Sequence, residues 1–153
     1  MKKATQVSSL ETHVGYWLRV VSNHVSHAFK LKVEARGVTV AEWVVLRQLL
    51  DSGEANPSEV AKQLGMTRGA ISKLVERLVQ KNLVSREAGR EDRRFQKVKL
   101  TAEGRGLVPT LAALADQNDR EFFRHLSEAQ TVALIGALKE IVQRHRLKSV
   151  PLD

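Results

Sequence analysis

Residues 56–104 read NPSEVAKQLGMTRGAISKLVERLVQKNLVSREAGREDRRFQKVKLTAEG, and their reading decides the fold. Asn56-Pro57-Ser58-Glu59 is a helix start: a capping residue, proline at the first helical position and glutamate at the third. A short helix follows with Val60, Ala61 and Leu64 inward, and Gly65 closes it in the left-handed conformation that glycine tolerates best. Thr67 caps a second helix from Arg68 to about Lys81. Its apolar stripe is Ile71, Leu74, Val75, Leu78 and Val79, the spacing of a one-sided helix, and Asn82 is its stop. Leu83–Glu87 and Phe95–Thr101 then read as two strands around the polar loop Ala88–Arg94. In the second strand Val98 and Leu100 face one way and Lys97 and Lys99 the other, and Thr101 can cap the next helix. Two helices at a tight turn followed by a hairpin make a winged helix-turn-helix.

The chain around this stretch is helical. Apolar residues recur at Leu10, Val14, Trp17, Leu18, Val21, Val25, Ala28 and Phe29, which predicts one amphipathic helix from Leu10 to about Ala35 with Gly37 as its stop. About 25 residues of helix cover ~37 Å, a long stripe for a small domain to bury but a useful one for a dimer. Thr39-Val40-Ala41-Glu42 is a capping box, and the helix after it carries Trp43, Leu46, Leu49 and Leu50 on one side. From about Ala102 to His125 the apolar positions are Leu107, Leu111, Leu114 and Phe122. Pro109 inside that pattern should kink the helix or displace its start. Ser127-Glu128-Ala129-Gln130 is another capping box, and the last helix is expected to bury Leu134, Ala137, Leu138, Ile141 and Val142. The expected architecture is mainly α with a small β-hairpin wing. Residues 38–104 form the winged helix-turn-helix, helices over 10–35 and 105–147 form the dimerisation elements, and 1–9 and 148–153 are flexible tails.

Charge locates the work. Of a formal net charge of +8 over 153 residues, the segment Ala61–Arg105 holds 12 Lys+Arg against 5 Asp+Glu, a local balance of +7. A basic segment in a neutral frame points to a polyanion. Cysteine is absent, which removes disulfides, thiolate metal sites and thiol redox switching. His24 and His27 stand at i, i+3 but lack the further ligands a zinc site needs, so no metal is expected. No membrane-length apolar run and no secretion-type h-region is present, which makes the cytoplasm the expected compartment. No nucleophile triad, phosphate loop or metal motif stands out, so no catalytic residue is assigned and an enzyme is not expected.

The segment Asp92-Arg93-Arg94, with Val98, Leu100-Thr101 and Gly104, resembles the wing signature D-R-R-x-x-x-V-x-L-T-x-x-G of the MarR family of bacterial transcriptional regulators. Pro57–Gly65 followed by Ala70-Ile71-Ser72 is similar to that family's helix-turn-helix. The resemblance implies a homodimer on a pseudo-palindromic operator in double-stranded DNA. It also implies that DNA binding usually represses transcription and that a signal releases it.

The candidate DNA contacts follow from residue chemistry. The N–H groups at Thr67 and the helix dipole can hold a phosphate. Gly69 permits close backbone approach. Arg68, Lys73 and Arg77 are placed for base edges or phosphates, with Ser72 as a further contact. On the loop, Arg90, Arg93 and Arg94 suit a narrow minor groove, while Asp92 pairs with Arg94 so that Arg93 projects. The resemblance leaves open which of Arg93 and Arg94 enters the groove. An effector is expected to be a small aromatic or phenolic molecule, with His13, Trp17, Trp43 and Arg47 as candidate contacts and no cofactor. The alternative is a winged helix that binds another protein or RNA without operator specificity. Arginines in place of apolar surface on the wing count against it.

Overall fold

Each helix begins where a side chain supplies a cap. In the computed structural model, which describes residues 7–88 and 96–148, the Thr39 hydroxyl accepts from Glu42 N while the Glu42 carboxylate accepts from Thr39 N, starting α2 (Val40–Ser52). At α3 (Pro57–Leu64) Asn56 Oδ1 accepts from Ser58 N and the Glu59 carboxylate accepts from Asn56 N, and Ser127 and Gln130 exchange bonds as Thr39 and Glu42 do at the last helix, α6 (Glu128–Arg144). Thr67 caps α4 (Arg68–Gln80) and Thr101 caps α5 (Ala102–Phe123). Gly65 closes α3 at φ 66°, with Met66 N donating to Ala61 O at 2.9 Å.

The first helix is shorter than the periodicity predicts. Leu10–Thr12 form a 3-10 turn, His13 is extended, and α1 runs Val14–Glu34. Side chains take the carbonyls that a continuous helix would use. Thr12 Oγ1 donates to Ser9 O at 2.7 Å, and Trp17 Nε1 donates to Glu11 O at 2.9 Å. At Pro109 the helix start is not displaced: α5 begins at Ala102 and continues through the proline. Pro109 and Arg105, whose carbonyl loses its i+4 donor there, are both exposed, so water can satisfy it.

Three antiparallel strands close the domain in the order β1-β3-β2, with β1 at Glu54–Ala55, β2 at Val84–Ala88 and β3 at Gln96–Leu100. The hairpin is as expected, whereas β1 is an addition. Ala55 pairs with Val98, and Val84 pairs with Leu100. One face of the sheet joins the core. Its other face is closed by ion pairs, Lys97 to Glu54 at 2.7 Å and Lys99 to Glu87 at 2.9 Å. The core is aliphatic and centred on Leu46, Leu49, Ile71, Leu78, Val98 and Leu111, contributed by α2, α4, β3 and α5.

Two further contacts fix helix to helix. Glu42 is fully buried and accepts from Lys81 Nζ at 2.7 Å, and Lys81 also donates to Gly37 O at 2.8 Å. Lys32 on α1 donates to Asn118 Oδ1 at 3.0 Å and to Glu121 at 2.7 Å on α5, while buried Asn118 donates to Val25 O. The Lys32 ammonium, then the Gln117 amide, holds the Glu121 carboxyl below its usual range.

The last helix is uncovered within the single chain. No residue of α6 is buried, and Leu134, Leu138, Ile141 and Val142 stand 39–45% exposed. Among the described residues α6 makes no substantial contact with another element. Along α1, Val14, Trp17, Leu18 and Val21 are exposed as well, and only Val33 of that helix is buried.

Candidate nucleic-acid interface

α4 presents the strongest functional surface, and its sequence explains why. Ile71, Leu74, Val75 and Leu78 are all buried, which anchors one side of the helix against α2, α3 and β2. Val79 is 38% exposed; it lies about 90° from the centre of that stripe, at its edge rather than within it. Opposite the stripe, Arg68, Gly69, Ser72, Lys73 and Arg77 are exposed, in agreement with the sequence assignment. Among the described residues Arg68, Lys73 and Arg77 form no ion pair, so their charge is available to an outside partner.

The start of α4 is equally open. Thr67 Oγ1 accepts from Ala70 N at 3.1 Å, which leaves the N–H groups of Arg68 and Gly69 without an intrahelical partner. An alanine Cβ at Gly69 would meet nothing within 4 Å, so the chain itself does not require glycine there. One exposed charged residue escaped the sequence reading. Glu76 lies on the outward face of α4 with Gln80, and the signal was available in its i+3 spacing from Lys73.

The wing is placed by its strands. β2 and β3 pair in register from Val84↔Leu100 to Ala88↔Gln96. The residues between them, including Arg90, Asp92, Arg93 and Arg94, lie outside the described residues. Gly104, the last residue of the wing signature, has a definite role. A Cβ there would sit 2.0 Å from Leu83 O, because the first turn of α5 rests directly on the backbone entering β2. Thr101, three residues earlier, donates from its N to Leu83 O at 3.1 Å and from Oγ1 to Asn82 O at 2.6 Å. The L-T-x-x-G segment is thus the joint between wing and α5.

The effector candidates stand apart within one chain. His13 and Trp17 occupy the beginning of α1, Trp17 being 51% exposed and in edge contact with Tyr16. Phe29, where α1 reaches the core, lies twelve residues further along, about 18 Å at 1.5 Å per residue. Trp43 is half-buried against the core, and Arg47, one turn on, pairs with Asp51. A cavity of about 350 Å³ beside β1 is lined by Glu54, Ala55, Asn56, Glu59, Gln96 and Lys97, none of them a predicted ligand contact. No group of acidic, histidine or cysteine residues able to hold a metal occurs among the described residues, and no described helix is long and apolar enough to cross a membrane.

Comparison with known proteins agrees with this geometry. The MarR family model matches residues 36–94. The HTH-type transcriptional repressor MdtR of Bacillus subtilis is 32% identical over 104 residues, spanning 68% of this chain and 65% of MdtR. BpsR of Bordetella bronchiseptica, whose DNA binding is regulated by 6-hydroxynicotinic acid, superposes with a TM-score of 0.76 at 27% identity, over 89% of this chain and 97% of BpsR. MarR of Escherichia coli, solved with operator DNA, shares the fold with a TM-score of 0.75 at 24% identity, over 84% of this chain and 93% of that one.

Proposed function

The chain belongs to the MarR family and is a transcriptional regulator rather than an enzyme, and we propose that it is a homodimeric, operator-specific repressor released by a small ligand. The observation that carries this reading is α4: a helix fixed by a fully buried stripe, with Arg68, Lys73 and Arg77 exposed and unpaired on its other side. A helix of this kind fits the major groove, where arginine bonds guanine through two parallel hydrogen bonds. Thr67, Gly69 and Ser72 bring the start of the helix against the phosphates. The hairpin then carries Arg90, Arg93 and Arg94 towards the adjacent minor groove, with Asp92 bracing the loop.

Support for the dimer comes from the uncovered apolar faces of α1 and α6. Residues 10–35 and 105–147 would form the dimerisation part and 38–104 the reading part. A second copy buries the stripes and holds two reading heads about one turn of DNA apart, ~34–36 Å. The effector reading rests on the likeness to BpsR, which answers to an aromatic acid. Trp43 and Arg47 supply a ring and a cation on α2, and His13 and Trp17 would have to join them in the assembled dimer. The site of action would be the cytoplasm.

The test is selection of bound duplexes from genomic DNA, followed by fluorescence anisotropy on the enriched sequence. A palindrome should emerge, Arg93→Ala or Arg94→Ala should weaken binding with the dimer intact, and affinity should fall steeply with salt as counterions are released. Enrichment no better than random duplex, or a flat salt response, would refute operator binding. Sedimentation as a monomer at micromolar concentration would refute the dimer.

A further inference from the structure

Glu76 sits where a phosphate-binding surface should not carry a negative charge. With the buried stripe of α4 as reference, Glu76 and Lys73 lie about 30° on either side of the opposite pole, and Ser72 and Arg77 about 70° from it on either side. It is exposed, and among the described residues its carboxylate makes no ion pair or hydrogen bond, although Lys73 stands three residues before it on the same face. An exposed pair with Lys73 would contribute little, so the carboxylate stays open to a donor outside the chain. Facing phosphate, it would be repelled.

A carboxylate has one favourable place in the major groove, against a base-edge amino group. Cytosine presents N4–H₂ as a donor there, and glutamate accepts from it. The outward pole of α4 points at base edges when Ser72 and Arg77 reach the flanking groups. We propose that Glu76 is a specificity-determining residue that selects a C·G pair at one position of each half-site while lowering the affinity for DNA in general. The proposal rests on the operator-binding reading. Repulsion from every phosphate backbone costs the same on all sequences, and only the right base pair returns an accepted hydrogen bond. Discrimination therefore rises as non-specific binding falls.

The test is a randomised duplex library selected with the full chain as wild type, Glu76→Ala and Glu76→Gln, alongside Lys73→Ala. Glu76→Ala should lower the preference for C·G at one symmetric position by about 5-fold or more and leave the other positions unchanged. It should also bind a mixed-sequence duplex more tightly than wild type. Glu76→Gln should move that same position towards A·T, because glutamine pairs with adenine N6 and N7. Lys73→Ala should weaken binding and leave the C·G preference at that position in place. Identical base preferences for wild type and both Glu76 variants would overturn the proposal and leave operator binding standing. If wild type enriches no sequence at all, operator binding fails and the proposal falls with it. All the variants change exposed side chains, so matching circular dichroism spectra should accompany each comparison.

Discussion

Replacing Gly104 with alanine inverts the usual rule for glycine in a helix. Alanine is normally preferred there by about 0.5–1 kcal/mol, through backbone entropy. At Gly104 the new Cβ would stand 2.0 Å from Leu83 O, 2.9 Å from Leu83 C and 3.3 Å from Leu83 Cα. All three are backbone atoms, so no side chain can swing aside. The gap must open by about 1 Å to reach even the 3.0 Å that Cβ contacts essentially never undercut. That movement pulls on the bonds from Thr101 to Leu83 O and Asn82 O and on the cap from Gly104 N to Thr101 Oγ1. Overpacking typically costs about 1–3 kcal/mol and a lost cap about 1 kcal/mol, against the propensity gain, so the net loss should be roughly 1–3.5 kcal/mol. For a chain of this size that is a fall in Tm of roughly 2–14 °C. The assay is thermal unfolding followed by circular dichroism at fixed protein concentration, with Gly106→Ala as control. A Cβ at Gly106 meets nothing within 4 Å, so that variant should melt at or above wild type. A Gly104→Ala protein as stable as wild type would refute the joint.

Three other perturbations have signed outcomes. Lys81→Met leaves the fully buried Glu42 carboxylate with Thr39 N as its remaining donor and should cost about 3 kcal/mol in urea denaturation. That is the low end for breaking a buried pair, because the Lys81 side chain stays 37% exposed, and a loss below about 1 kcal/mol would refute it. Glu121 has a depressed folded pKa, so its pairing with Lys32 stabilises the protein above the ordinary carboxylate range and is lost as pH falls through the folded value. Glu121→Gln should therefore be less stable than wild type at neutral pH and match it in acid; a gap that persists in acid would contradict this. Gly69→Ala should leave the fold unharmed, since nothing lies within 4 Å, yet weaken operator binding by crowding the DNA backbone; equal affinity would show that no close approach occurs there.

Local signals in the sequence carried most of the fold. The Thr39, Asn56 and Ser127 capping boxes, the Thr67 and Thr101 caps and the Gly65 stop each depend on residues within three or four positions, and all are present. β1 has no comparable signal. Two residues, Glu54 and Ala55, are strand only because β3 lies beside them. The start of α1 depended on a competition between helix carbonyls and the side chains of Thr12 and Trp17, which spacing does not reveal.

Periodicity likewise states that a helix has an apolar face and is silent about what covers it. The stripes of α4 and α6 look alike as sequence, yet the first is buried within the chain and the second is not. Sequence alone determined the helix-turn-helix, the hairpin, the concentration of positive charge and the family-like wing signature, because caps, turns and charges are properties of neighbours along the chain. Only the tertiary structure decided that Gly104 must be glycine and that Glu42 and Lys81 meet across 39 residues. It alone showed that Glu76 makes no pair with Lys73 and that no residue of α6 is buried within the chain. Those are statements about which distant groups come within a few ångströms, and such distances exist only once the chain has folded.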